Sequence, residues 1–333
     1  MRVTLKEVAQ KAGVSRSAVS RSFTEGASVS EETRRKVMRA AKSLGYHPNV
    51  LASSLTTRRT KLIGLVADNF VNPVFLTVFD LFTKRIQKRG FRPLLVNLAG
   101  QTDPADSVLL LQQYSVDGVI VASSTLPASF AAAFREAGLP VVHSFGRYSG
   151  ESQTHVVGVD NRYCGQLAAQ ALLDFGYERV EFLGGPESST STQDRLAGFS
   201  GALAARGIDV PVSFARGYTY AAGYEAMAER LSRGNPADAY FCGDDVIAVG
   251  AMDALAAHGF RVPEDVGLIG FNDMEMSSWN CVNLTTIRQP VAQIISASVD
   301  LVIDLIQQPD LPLETRLMPC EIVKRSTLRQ HGP

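Results

Sequence analysis

From Leu62 onward the chain keeps returning to one pattern, a short unbroken apolar run, then a loop, then an amphipathic stretch. Leu62-Ile63-Gly64-Leu65-Val66 is followed by a loop from Asp68 to Pro73 and by a segment with Leu76, Phe79, Phe82 and Ile86 on one helical face, ending near Gly90. Further apolar runs lie at Pro93 to Val96, Gly118 to Val121, Pro140 to Val142, Val180 to Leu183, Ala239 to Cys242 and Val266 to Gly270. A strand covered on both faces has no polar side to alternate with, and parallel neighbours need a crossover helix between them. The pattern therefore predicts doubly wound parallel sheets. About 270 residues of it exceed one comfortable domain, which predicts two α/β lobes with a cleft between them.

The first sixth of the chain reads differently. Through Lys61 there are 13 basic and 4 acidic residues, while the remainder holds 20 basic and 29 acidic, so a formal net charge of zero conceals a basic head on an acidic body. Clustered Lys and Arg release condensed counterions from a nucleic-acid backbone, and such a head points to a polyanion as partner. Within it, Thr4 with Glu7 forms a capping box, and Leu5, Val8, Ala9 and Ala12 recur at helical spacing up to Gly13. Ser15 caps a second predicted helix from Arg16 to about Phe23, with Ala18, Val19 and Ser22 inward and Arg16, Ser17, Ser20 and Arg21 outward. Ser30, Glu31 and Glu32 start a third, with Val37, Ala40, Ala41 and Leu44 as its stripe, and Gly45 stops it. Two short helices joined by a glycine turn make a helix-turn-helix. Its second helix offers arginines that can fork onto guanine and serines that can bond base edges or phosphates.

Other classes find little support. No run approaches the ~18 to 20 apolar residues of a membrane span, and Met1 to Glu7 lacks the unbroken apolar core of a secretory signal, so no membrane partner and a cytoplasmic location are expected. The four cysteines, Cys164, Cys242, Cys281 and Cys320, are scattered without a Cys-x-x-Cys pair, as reduced and mostly buried thiols would be. The five histidines lack metal-ligand spacing, and no metal or cofactor is expected. An enzyme is the rival on a doubly wound fold. The chain has no G-x-G-x-x-G after a strand, no Walker lysine and no G-x-S-x-G elbow, and adjacent Asp244 and Asp245 do not face each other as a paired acid and base would. A solute receptor of the periplasm fits the body but not the head.

The motifs Thr4-Leu5-Lys6-Glu7-Val8-Ala9, Ala12-Gly13-Val14-Ser15, Val19-Ser20-Arg21, Val29 to Arg34 and Leu44-Gly45-Tyr46-His47-Pro48-Asn49 together resemble the headpiece of the LacI/GalR family of bacterial transcriptional regulators. The body continues the resemblance at Asn72 to Phe75, Val159-Asp160-Asn161, Leu183 to Pro186, Asp194 to Phe199, Gly243-Asp244-Asp245, Gly270 to Asp273, Leu284 to Pro290 and Arg325-Ser326-Thr327. It implies a headpiece over 1–48, a hinge helix and linker over 49–61, and a body over 62–333 similar to periplasmic sugar-binding proteins. Lobe one would comprise about 62–160 and 290–319, lobe two about 161–289 and 320–330, with three crossings.

The resemblance further implies a repressor that binds double-stranded operator DNA as a homodimer, through Thr4, Ser15, Arg16, Ser17, Ser20, Arg21, Asn49, Ala52 and Leu55. Leu55 matches the wedge that enters the minor groove; the family usually has arginine where this chain has Ser53, which leaves one minor-groove contact without its donor. Phe75, Phe145, Asp160, Arg195, Tyr218, Asp244 and Asp273 match the effector pocket, and their chemistry suits a polyhydroxylated ligand: carboxylates and a guanidinium for hydroxyls, aromatic faces for C–H surfaces. The phenylalanines also suit a core, Arg195 an ion pair between lobes, and the aspartates helix caps. The chain ends six residues after Thr327, short of the C-terminal heptads of tetrameric relatives, so a dimer is expected.

Overall fold

The first three helix starts in this chain are set by small polar caps. In the computed structural model, which describes residues 3–24, 26–47, 59–98, 103–148, 150 and 153–329, the chain divides into two units, Met1–Thr60 and Lys61–Pro333.

The first unit is a three-helix cluster of α1 (Leu5–Ala12), α2 (Arg16–Ser22) and α3 (Glu31–Leu44). Thr4 and Glu7 cap α1 reciprocally, the Thr4 hydroxyl donating to the Glu7 carboxylate at 2.8 Å and accepting from the Glu7 amide at 3.4 Å. Ser15 accepts from the Ala18 amide and Ser30 from the Thr33 amide, each at 3.2 Å. Gly13, at φ +65°, supplies the left-handed turn that lets α2 follow α1 after only three intervening residues. The turn brings Val8, Ala9, Val19, Val37, Ala40 and Ala41 into one buried core. Arg34 is half-buried and donates to the carbonyls of Ser22 (2.9 Å) and Ala27 (3.4 Å), tying the α2–α3 connection down.

The second unit contains two six-stranded sheets. In chain order the strands are β1 (Leu62–Ala67), β2 (Arg92–Asn97), β3 (Gly118–Ala122), β4 (Val141–Ser144), β5 (His155–Gly158), β6 (Val180–Gly184), β7 (Val212–Phe214), β8 (Ala239–Cys242), β9 (Gly267–Asn272), β10 (Thr286–Arg288), β11 (Thr315–Leu317) and β12 (Glu321–Val323). The first sheet runs β11-β5-β4-β3-β1-β2 and the second β12-β10-β9-β8-β6-β7. Every pairing is parallel except that of β10 with β12, so the last strand closes its edge antiparallel. Leu65 sits opposite Leu95 on one side and Ile120 on the other, which fixes the register at the centre of the first sheet. The chain passes between sheets three times: after β5, after β10, and between β11 and β12.

Helices α4 (Val74–Lys88), α5 (Ala105–Gln113), α6 (Ala128–Glu136) and α11 (Val291–Gln307) belong to lobe one; α7 (Asn161–Asp174), α8 (Thr190–Ala204), α9 (Tyr220–Ser232) and α10 (Asp245–Ala257) belong to lobe two. Alternate residues of β1 serve opposite faces: Ile63 and Leu65 pack with Phe82, Ile86 and Val302, while Val66 packs with Leu111, Phe130 and Phe134. In lobe two, α7 and α8 cross at two glycines. A Cβ on Gly165 would lie 2.1 Å from the Arg195 carbonyl oxygen, and one on Gly198 would lie 1.9 Å from that of Arg162. Backbone sits where a side chain would go, so this contact sets how far Arg195 stands from the rest of the lobe.

Gly198→Ala is expected to lower the body's stability by about 3 kcal/mol, at the upper end of overpacking costs. Urea unfolding reads it; an unchanged midpoint would show that the two helices separate freely.

Candidate functional site

Between the lobes lies a cavity walled by the loops beyond the carboxyl ends of the parallel strands, where such sheets hold ligands. Lobe one contributes Asn69, Asn72, Val74, Phe75 and Val78 after β1, Ser124 after β3, Phe145 after β4, and Val291 at the start of α11. Lobe two contributes Arg195 on α8, Tyr218 before α9, Asp244 after β8 and Asn272 at the end of β9, with Gln289 just beyond β10.

Arg195 is the buried cation of this wall, only 3% exposed. Its Nε donates to Asn161 Oδ1 at 2.8 Å, its Nη1 donates to the Gly243 carbonyl at 2.7 Å, and its guanidinium carbon lies 3.4 Å from the centre of the Phe271 ring. Burial pulls its pKa down from the ordinary arginine value. No acceptor among the described residues takes the hydrogens of Nη2, which leaves a paired donor for a ligand.

Asp244 is the buried acid opposite. Its Oδ1 accepts from the Val246 amide at 2.9 Å, capping α10, and its Oδ2 accepts from Asn72 at 2.8 Å and Asn272 at 2.9 Å. Gln289 donates in turn to Asn272 Oδ1 at 2.5 Å. The Asn72 bond crosses from lobe one to lobe two, so a carboxylate and three carboxamides form one network linking the lobes. Burial, and then the neighbouring Asp245 charge, push the Asp244 carboxyl up to about 7. Asp245 is displaced upward too, by burial foremost, and is spent on structure: it accepts from Thr286 Oγ1 at 2.5 Å and from the Met274 amide at 2.7 Å. Tyr218 turns its hydroxyl to Thr192 (3.0 Å) and Ser191 (3.3 Å) and, with Phe75 and Phe145, leaves apolar ring surface on the wall.

In the headpiece, Arg16, Ser17, Ser20 and Arg21 are exposed on one side of α2 while Val19 and Ser22 are buried on the other. Ser15 and Ser17 share a hydrogen bond of 2.9 Å between their hydroxyls. The sequence is matched by the model of bacterial regulatory proteins, lacI family, over residues 4–49, and by that of the periplasmic binding protein-like domain over residues 169–328. The transcriptional repressor CytR of Escherichia coli (strain K12) is 31% identical over 330 residues, 98% of this chain and 96% of CytR. The chain belongs to the LacI family.

It is accordingly a helix-turn-helix, DNA-binding transcription regulator with a periplasmic-binding-protein-like body. Among solved LacI-family structures, the Lac repressor dimer bound to operator and the anti-inducer ONPF superposes with a TM-score of 0.89 at 27% identity, covering 99% of this chain and 100% of that one. The complex of the regulator CelR with cellobiose superposes with a TM-score of 0.72 at 30% identity, covering 98% and 100%. Among the described residues no helix is long and apolar enough to cross a membrane, and no cluster of His, Cys, Asp or Glu is arranged to hold a metal.

Of the seven residues expected at a LacI-type effector pocket, Phe75, Phe145, Arg195, Tyr218 and Asp244 line the cavity, and Asp160 and Asp273 do not. Asp160 caps α7, accepting from the amides of Arg162 (2.9 Å) and Tyr163 (3.1 Å), and its neighbour Asn161 is the one that reaches Arg195. Asp273 ion-pairs with Arg325 and Arg288, each at 2.6 Å, while its neighbour Asn272 faces the cavity. In each case a neighbouring carboxamide, Asn161 at Arg195 and Asn272 at the cavity, stands where the chain turns. The carboxamides Asn69, Asn72, Asn272 and Gln289 went unremarked as site residues, although three of them stand inside the motifs already quoted. Cys281 is exposed rather than buried. The expected hinge contacts Asn49, Ala52 and Leu55 lie outside the described residues.

The sign of the Asp244 shift gives a test. The folded body holds this proton in a pH window where the unfolded chain has already released it, so its stability falls as pH rises through about 7. Asp244→Asn, with no proton to lose, is expected to flatten the decline in melting temperature between about pH 4 and pH 7. An identical slope in the variant would place the titration elsewhere.

Proposed function

We propose that this chain is a transcriptional repressor of the cytoplasm that binds a near-palindromic operator as a homodimer and is controlled by a carbohydrate-class effector held between the lobes. The observation that carries the effector half of this reading is the buried Arg195, whose Nη2 group, without an acceptor among the described residues, sits in a wall shared by both lobes. A guanidinium edge and carboxamides bond hydroxyl groups, and the faces of Phe75, Phe145 and Tyr218 suit the C–H side of a sugar ring. Cellobiose in the CelR structure is in keeping with that class of ligand. Because lobe one and lobe two both supply wall, an occupant biases their arrangement by its unequal affinity for the alternatives.

The DNA half rests on α2, whose outer face carries Arg16 and Arg21 flanking Ser17 and Ser20. Such a helix sits in the major groove, and a two-fold dimer reads two half-sites; the Lac repressor structure, a dimer on operator, agrees with that arrangement. Thr4, Ser15, Asn49, Ala52 and Leu55 complete the proposed contacts.

Arg21→Ala is expected to weaken operator binding by about 1–3 kcal/mol and to relax selectivity at one base pair per half-site. Footprinting on an operator selected from random sequence reads both, and an unchanged footprint removes Arg21 from the reading face. A thermal-shift panel of sugars, polyols and nucleosides should raise the melting point for one class, because a ligand bound only to the folded state stabilises it. Arg195→Ala should abolish that rise while leaving operator affinity intact; a normal rise would remove Arg195 from the effector site.

A further inference from the structure

Beside the cavity the two lobes are joined by contacts that the effector reading does not use. Arg147, in the loop after β4, forks onto Asp194 of α8: Nε donates to Oδ2 and Nη2 to Oδ1, each at 2.8 Å. The same Nη2 donates to Gln193 Oε1 at 3.1 Å and to the Thr190 carbonyl at 3.3 Å. The Asp194 side chain is 10% exposed and that of Arg147 29%, so this is no solvent-screened surface pair.

Next to it, the opposite lobe caps a helix. The first amides of a helix have no acceptor within it, and Ser189 offers α8 no side-chain cap. The carbonyls of lobe one take that place: the Thr190 amide donates to Thr125 at 3.3 Å, the Ser191 amide to Ser124 at 3.1 Å, and the Thr190 hydroxyl to Ser124 at 3.0 Å. Parting the lobes on this side uncaps α8 and breaks the Arg147 fork together.

Asp194 is not left alone when that happens. Arg162, on α7 of its own lobe, has its Nε 3.7 Å from Asp194 Oδ1 and is 69% exposed, free to close in. A carboxylate in a largely buried position is costly without a counter-charge, and a waiting second cation removes that cost from the open arrangement.

We propose that Arg147 is a positioning residue that latches the two lobes, and that Asp194 passes from Arg147 to Arg162 when they part. The latch is threaded into the cavity wall. Phe145 stands two residues before Arg147, Arg195 directly follows Asp194, Ser124 is both wall and acceptor, and Ser191 and Thr192 hold the Tyr218 hydroxyl. Whatever fills the cavity therefore presses on the segments that carry the latch, and the latch sets how readily the lobes separate.

The test needs no effector: hydrogen exchange of the ligand-free full-length chain. In Arg147→Ala the amides of Thr190 and Ser191 are expected to exchange on the order of tenfold faster, with the amides of β1 and β8 as in the parent. Arg147→Lys, which keeps the charge but not the fork, should fall between, and Arg147→Ala with Asp194→Asn should be no faster than Arg147→Ala alone. Arg162→Ala should leave these amides as protected as before or more so. Parental exchange at Thr190 and Ser191 in Arg147→Ala overturns the latch. If that variant loses protection throughout the body, Arg147→Lys decides, and parental rates in it overturn the latch equally. Acceleration in Arg162→Ala equal to that in Arg147→Ala overturns the exchange of partners.

Discussion

A guanidinium withdrawn from water must be met by acceptors and by π surface, and in this body that requirement falls on Arg195. Meeting it draws on four elements: Asn161 at the first position of α7, the Gly243 carbonyl beyond β8, the Phe271 ring of β9, and α8 itself. Those elements are far apart in sequence, so the arginine is satisfied only when β8 and β9 are in register and α7 and α8 are in contact. The glycine pair Gly165 and Gly198 is what permits that contact. One buried charge thus ties the sheet order, the helix crossing and the cavity wall to a single condition. Leaving Nη2 outside the arrangement keeps part of the charge available to a ligand.

Asp244 meets its own burial differently. It is capped by the Val246 amide and bridged by Asn72 and Asn272, so it acts less as an open acceptor for a ligand than as the hub on which neighbouring carboxamides are hung. Asparagine is suited to this place because one side chain can donate to the carboxylate and still accept elsewhere: Asn72 Oδ1 takes the Val74 amide and Asn272 Oδ1 takes Gln289. Asp245, next in sequence, points to a separate set of donors from Thr286 and Met274. Of the adjacent carboxylates, Asp244 caps α10 while Asp245 ties Thr286 and Met274 to the same helix start.

Much of this is legible in the sequence, for identifiable reasons. Strands buried on both faces, such as β1, β3 and β9, carry continuous apolar runs, and the three headpiece helices carry their caps at Thr4, Ser15 and Ser30. The edge strands β7, β11 and β12 are three residues each, too short and too exposed for periodicity to mark, and the antiparallel pairing of β12 leaves no trace in sequence. At the site, side chains that are large or charged announced themselves, while the amides did not, since asparagine in a loop is usually a turn former. Asp160 is drawn off by capping α7, whereas at Asp273 and Asn272 the cause lies in the backbone. Positive φ at both Asn272 (118°) and Asp273 (56°) rotates one residue inward and the next outward, a local twist that residue type alone does not disclose.

The division of charge completes the account. A regulator must prefer a few sites to the excess of ordinary duplex, and the non-specific part of its affinity grows with every cation set against phosphate. Here the surplus of basic residues is confined to the segment through Lys61, and the rest of the chain carries 29 acidic against 20 basic residues. An acidic body is repelled by the phosphate backbone and adds nothing to indiscriminate binding, so the grip on DNA is left to a small headpiece whose exposed α2 residues can read bases. The same separation frees the body's interior for the opposite chemistry. Arg195 is met inside the body by carbonyl, carboxamide and ring, and Asp244 by amides.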